Sequence, residues 1–168
     1  MTTDIGHRPN KKQIGAAGEH YVTAELNRRG GYATPFAGNM PGIDIVAFDT
    51  DREHFVTIQV KAKGPGGRWV TTIPRYAHPE YPEYGDSPRP LSNNEFWVLV
   101  DLTGESPDYY VFPAQWLETD ICAHFQEWLT ECGGKRPRNP ASRDWSIDLS
   151  RVAQWRNRWD VLGIGLTR

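Results

Sequence analysis

A chain of 168 residues, 38% hydrophobic and 24% charged, has the size and composition of one globular domain with its own core. No apolar run is long enough to cross a bilayer, and the polar start Met1 to Lys12 leads into no apolar signal segment, so the expected location is the cytoplasm. The net charge of −2 argues against a generic polyanion binder. Charge is nevertheless segregated: residues 1 to 79 hold ten basic and seven acidic side chains, 80 to 131 one and eleven, and 133 to 168 eight and three. If the first and last segments meet in space they form one basic face for nucleic acid; if they mix with the middle, no patch exists.

Met1 to Asn10 reads as a loose arm, and from Lys11 to Arg29 the positions Ile14, Ala17, Gly18, Tyr21, Val22 and Leu26 follow helical spacing, with Gly30 and Gly31 as the stop. A short extended piece, Tyr32 to Phe36, leads to Pro41 and Gly42. Two strand-like runs follow, Ile43 to Phe48 and Phe55 to Ala62, joined by the polar turn Asp49 to Glu53 as an antiparallel hairpin. From Gly64 to Asn94 no periodic pattern holds, and six prolines and four glycines break the stretch, which reads as a long functional or partner-stabilised loop. Phe96 to Leu102 is expected as a central strand and Tyr109 to Phe112 as a shorter one.

Pro113 suits the first turn of a helix carried by Trp116, Leu117, Ile121, Phe125, Trp128 and Leu129, with a break near Asp120 and a stop at Gly133 and Gly134. After a basic loop, Lys135 to Arg143, a short strand over Trp145 to Leu149 and a last helix capped by Ser150 and running to Leu162 are expected. The tryptophans of this half read as core or dimer contacts. Cys122 and Cys132 read as reduced thiols whose spacing, even with His124, supplies neither a bridge nor a zinc site. The whole is one domain, with a core over about 11–131, an insertion at 64–94 and a C-terminal extension at 133–168.

Chemistry concentrates in the hairpin. If Phe48 and Phe55 oppose one another, counting places Val46 against Thr57 and Asp44 against Gln59, so Asp44, Gln59 and Lys61 share one face within about 5–8 Å. Ile43, Ile45, Ile58, Val60 and Ala62 fall on the other face, which is core. A carboxylate, an amide oxygen and an ammonium together suit phosphodiester hydrolysis. Asp44, the Gln59 side chain and the Val60 carbonyl offer oxygens to a hard cation such as magnesium, and Lys61 steadies the nucleophile or the transition state. Glu19, at the border of the first helix's apolar stripe, would restore the second negative charge that neutral Gln59 lacks. Taken singly, Asp44 also reads as a turn residue, Gln59 and Lys61 as a solvated strand face, and Glu19 as an exposed helix residue.

The runs Gly15-Ala-Ala-Gly18-Glu19-His-Tyr-Val22, Pro41-Gly42-Ile43-Asp44 and Ile58-Gln59-Val60-Lys61, in that order, resemble the PD-(D/E)XK, restriction endonuclease-like superfamily over roughly residues 11 to 112. Two departures stand out. Gly42 and Ile43 separate proline from aspartate, and Gln59 stands where the commonest pattern has Glu or Asp, as in methyl-directed restriction enzymes. Glu19 is similar to the helical glutamate of Holliday junction resolvases. The resemblance implies an α/β (α+β sandwich) fold with a central mixed sheet of four to five strands and flanking helices. It also implies metal-dependent cleavage of DNA, with RNA left open, in restriction, defence or repair. A homodimer or a subunit of a larger assembly is expected, because cutting two strands takes two sites. The alternative is a catalytically inactive module of the same fold that binds nucleic acid or protein. Lys63, Arg68 and Arg75 are expected to grip phosphates beside the cut, the loop's Trp69, Tyr76, Tyr81 and Tyr84 to stack on bases or staple the loop, and Lys135, Arg136 and Arg138 to touch a nucleic-acid backbone.

Overall fold

Phe48 and Phe55 do face each other, ring centroids 6.0 Å apart, and the register runs on through Ala47 with Val56, Val46 with Thr57 and Ile45 with Ile58. The computed structural model describes residues 8–37, 40–84 and 90–167. The expected N-terminal arm up to residue 7, residues 85–89 of the long loop, and Gly38, Asn39 and Arg168 lie outside the described residues. In chain order the elements are α1 (Lys11–Arg28), β1 (Tyr32–Pro35), β2 (Ile45–Phe48), β3 (Phe55–Lys63), β4 (Trp69–Thr72), β5 (Glu95–Asp101), β6 (Asp108–Pro113), α2 (Ala114–Glu131), β7 (Asp144–Ile147) and the single turn α3 (Leu149–Val152).

Five strands form a mixed sheet in the order β1-β2-β3-β5-β6, parallel only between β3 and β5, while β4 and β7 pair separately. Side chains alternate across the sheet, and each face has its own core. On one face, Val22 and Leu26 of α1 pack with Ile45, Ile58, Val60 and Val98; on the other, Leu99 and Phe112 pack with Leu117, Ile121 and Phe125 of α2. α1 begins at a capping box: Asn10 Oδ1 accepts from the N–H groups of Lys12 and Gln13, and Gln13 Oε1 accepts from Asn10 N–H.

Four expectations need correction. Tyr21, placed on the apolar stripe of α1, is 47% exposed, because the buried stripe is the narrower line Gly18, Val22 and Leu26. The 64–94 stretch is not pattern-free: it contains β4 and short 3-10 turns at Arg75–Ala77 and Pro82–Tyr84. β4 is anchored by Trp69, 2% exposed, whose Nε1 donates to the Val100 carbonyl at 3.0 Å. α2 runs without a break at Asp120, which instead takes a two-pronged hydrogen bond from Arg151, and Pro113 ends β6 as the residue capping α2 rather than entering its first turn. The last helix fragments into α3 and 3-10 turns at Ala153–Trp155 and Trp159–Leu162, and its cap is Asp148, whose carboxylate accepts from Ser150 N–H. Trp159, Leu162 and Ile164 from this segment close the α1-side core, and Trp116, Trp128, Trp145 and Trp155 pack around the α2-side one.

Candidate active site

Gly42, at φ +83°, lets the chain turn in front of β2, and Asp44 follows with its backbone fixed from both sides. Asp44 N–H donates to the Ile58 carbonyl at 2.9 Å, while its own carbonyl accepts from Phe36 N–H at 2.8 Å. Its side chain then turns back: Oδ2 accepts from Val60 N–H at 2.7 Å. In a strand the N–H and C=O of one residue leave by the same edge, so the Val60 carbonyl also lies on the Asp44 edge of β3.

Glu19 arrives from the opposite face of the sheet. Gly18 makes this approach close enough: a Cβ there would stand 2.5 Å from Ala62 Cβ, so α1 lies directly on β3 at this point and the next residue overhangs the strand's edge. Glu19 and Asp44 line one cleft of about 1120 Å³ together with Val60 and Lys61. Burial, and after it the neighbouring Asp44 charge, push the Glu19 carboxyl above its ordinary range, against the pull of His20 and Lys61. Lys61 makes neither an ion pair nor a hydrogen bond among the described residues, which leaves its ammonium available to a ligand.

Gln59 does not join this group. It lines an adjoining cavity of about 500 Å³, and Lys61 is common to both spaces. Among the described residues no three His, Cys, Asp or Glu side chains cluster as a metal site. The oxygens gathered here are two carboxylates, one of them strained by the other's charge, and a backbone carbonyl. That donor set fits a hard divalent cation that keeps several waters better than zinc.

The basic residues expected to hold nucleic acid separate into two groups. Lys63 also lines the cleft but is engaged internally, with Nζ 2.9 Å from Asp101 Oδ2 and 4.3 Å from the centre of the Trp69 ring. Arg136 donates to the Ser142 and Asp144 carbonyls and lies over Trp128, and Arg75 stacks on Tyr81 and Tyr84 and bonds the Tyr84 hydroxyl. Lys135 and Arg138 are exposed but do not line the cleft. Arg68 is exposed, does line it, and makes no ion pair among the described residues. Lys11, not expected from the sequence, lines it as well; the signal was the spacing Lys11, Gly15, Glu19, which puts the three on one side of α1.

No family model matches the sequence, and no curated protein does. Among solved structures, the chain is similar to a bacterial homing endonuclease, at 15% identity and a TM-score of 0.51 over 94% of this chain and 96% of that one. It is also similar to Hjc, a Holliday junction resolvase from the archaeal hyperthermophile Archaeoglobus fulgidus, at 16% identity and a TM-score of 0.48 over 89% and 95%. With its five-stranded mixed sheet and flanking helices, the chain shares the fold of that bacterial homing endonuclease.

Proposed function

We propose that this protein is a divalent-metal-dependent endonuclease that hydrolyses phosphodiester bonds in DNA. The observation that carries the reading is the meeting of Glu19, Asp44, the Val60 edge of β3 and Lys61, from three separate elements, in one cleft of a nuclease fold. The fold shared with a bacterial homing endonuclease supports DNA as the substrate.

Asp44 Oδ1, the Glu19 carboxylate and the Val60 carbonyl would hold magnesium or manganese. Bound there, the cation would supply charge neutralisation at the phosphate and a more acidic water. Asp44 Oδ2, tied to Val60 N–H, holds the aspartate in one orientation so that its other oxygen faces the cleft. Lys61 donates to a non-bridging phosphate oxygen, or to the attacking water, and stabilises the charge that builds in the pentavalent transition state. Lys11 and Arg68 take the flanking phosphates, as charge without sequence preference. Cutting both strands takes two such sites, and a homodimer supplies them; restriction, defence and repair inside the cell are the settings for such an activity.

The neutral Gln59, set in the adjoining cavity rather than the cleft, favours a second reading, a nuclease-fold module that binds without cutting. Purified protein incubated with plasmid and with branched DNA, with magnesium, manganese or chelator, separates the two. Cleavage that needs the metal and drops about 10²–10⁴-fold in Asp44→Ala and in Lys61→Ala is expected. Equal cutting by all three proteins would sink the site assignment, and tight DNA binding without cleavage would establish the binding module.

A further inference from the structure

The cavity that Gln59 and Lys61 share has features the cleavage reaction does not use. Its walls come from β3, from Trp97 on β5, from Leu117, Glu118 and Ile121 on α2, and from Arg75 and Tyr76. Trp97 is the register neighbour of Gln59, so the indole and the amide stand side by side on one sheet face. Tyr76 donates its hydroxyl to Glu118 Oε1 at 2.5 Å, and Cys122 Sγ lies 3.6 Å from the tyrosine hydroxyl oxygen. Burial, reinforced by that hydrogen bond, keeps the tyrosine protonated, so it acts only to orient Glu118. Glu118 Oε2 and both ends of the Gln59 amide have no partner among the described residues.

The volume, about 500 Å³, is within the range of small-ligand pockets, roughly 300–1,000 Å³. Its occupant must be flat and apolar on its faces to lie among Trp97, Leu117 and Ile121, must carry hydrogen-bonding groups along one edge for Glu118 and Gln59, and must join an anion at the Lys61 end. A nucleobase on its own phosphodiester meets all three requirements. A carboxylate oxygen accepts well from an exocyclic amino group. Thymine offers its single N–H between two carbonyl oxygens that repel a carboxylate.

Resting on the nuclease reading for the position of the phosphate, we propose that this cavity receives one nucleobase, swung out of the stack, from the nucleotide next to the phosphate at Lys61. It prefers the amino-bearing bases, cytosine, adenine and guanine, to thymine. Aromatic stacking, on Trp97, and edge hydrogen bonds, to Glu118 and Gln59, offset the lost base stacking, as in other proteins that extrude a base. Gln59 thereby serves substrate recognition rather than the metal.

The test titrates ¹⁵N-labelled full chain, in chelator, with dCMP, dAMP, dTMP and inorganic phosphate, following the Trp97 indole N–H and the amides of Leu117 to Ile121. Expected are shifts at these groups with dCMP and dAMP, about tenfold tighter binding than dTMP, and loss of that preference in Glu118→Gln. Shifts confined to Lys11, Lys61 and Arg68, shifts at Trp97 that phosphate alone reproduces, or equal affinity for dCMP and dTMP would each overturn the proposal, and the wild-type titration decides even if the variant fails to fold. Plasmid cleavage is read in parallel. Cutting without base-dependent shifts overturns the base pocket alone, whereas base-dependent shifts without cutting support the pocket and overturn the nuclease reading.

Discussion

Replacing Gly18 by alanine perturbs a close contact between the helix that carries Glu19 and β3. The new Cβ would stand 2.5 Å from Ala62 Cβ, with Val60 Cγ1 at 3.6 Å. Two such carbons settle about 3.5–4.0 Å apart, so α1 must lift from β3 by on the order of 1 Å at this point. Overpacking of this kind costs about 1–3 kcal/mol, and alanine returns about 1 kcal/mol of helix propensity over glycine. The net loss is therefore about 0–2 kcal/mol, well below the stability of an ordinary domain, and the protein stays folded. Glu19 moves with the helix, however, and a misplacement of about 1 Å in an active site costs on the order of 10²-fold in rate. The expected result is a thermal midpoint lowered by only a few degrees, about 2–4 °C per kcal/mol, with plasmid cleavage reduced about a hundredfold and a higher magnesium requirement. Gly15→Ala is the control, since a Cβ there meets nothing within 4 Å; it gains up to about 1 kcal/mol and keeps cutting. Adding Ala62→Gly to Gly18→Ala removes the clash and recovers most of the rate, even though glycine weakens a strand. Wild-type cleavage and metal dependence in Gly18→Ala would refute the idea that this contact positions Glu19.

Three further predictions follow from single residues. Gln59→Glu places a carboxylate in the adjoining cavity rather than the cleft and should leave the magnesium concentration for half-maximal cleavage unchanged; a several-fold lower requirement would show that residue 59 reaches the metal. Lys63→Met strands Asp101, whose carboxyl Thr103 and Lys63 hold below the usual range against the opposing effect of burial; it should cost about 1–3 kcal/mol in urea unfolding without weakening DNA binding, and a stable variant with weakened binding would contradict the internal role. His78, 2% exposed, accepts from Glu80 N–H at Nδ1 and bonds the Ser142 carbonyl through Nε2, and burial holds its pKa below the ordinary value. The unfolded chain therefore takes up the proton first, so the stabilisation is complete above about pH 6.5 and is lost as pH falls from there through the lower folded value, by at most about 1.4 kcal/mol per pH unit. Unfolding midpoints at pH 7.5 and 5.5 should diverge in the wild type and less in His78→Phe; parallel curves would reject the assignment.

What the sequence made legible was local. The hairpin's register followed from an aromatic pair and a period of two, and the helix before it from a spacing that ends at glycines, so the Asp44 to Lys61 segment could be laid out by counting. Contacts closed by long loops were beyond counting. β4 pairs with β7, far along the chain, through a four-residue run that carries no alternation of its own, and the parallel pairing of β3 with β5 has no tight turn to fix its register. That register sets Lys63 beside Asp101 and Gln59 beside Trp97, neighbours that the expectation of Lys63 as a phosphate grip and of Gln59 as a metal ligand could not take into account.

Charge shows the same limit, and with a measurable consequence. The acidic middle and the basic tail, separate in sequence, meet in space as Asp120 with Arg151 and Asp108 with Arg156, so part of the tail's positive charge is neutralised within the molecule. Lys63 and Arg136 are likewise engaged at home. The cations that line the cleft and make neither an ion pair nor a side-chain hydrogen bond among the described residues are Lys11, Lys61 and Arg68. Each phosphate neutralised contributes about −0.9 to the slope of log K against log salt, so DNA binding should show a slope of about −3. Arg68→Ala should flatten it by about one unit, and Arg156→Ala should leave it alone. A slope of about −6 or steeper would mean that the tail's arginines leave their carboxylates to bind DNA, and the basic face would then be an induced surface rather than the narrow cleft around Lys61.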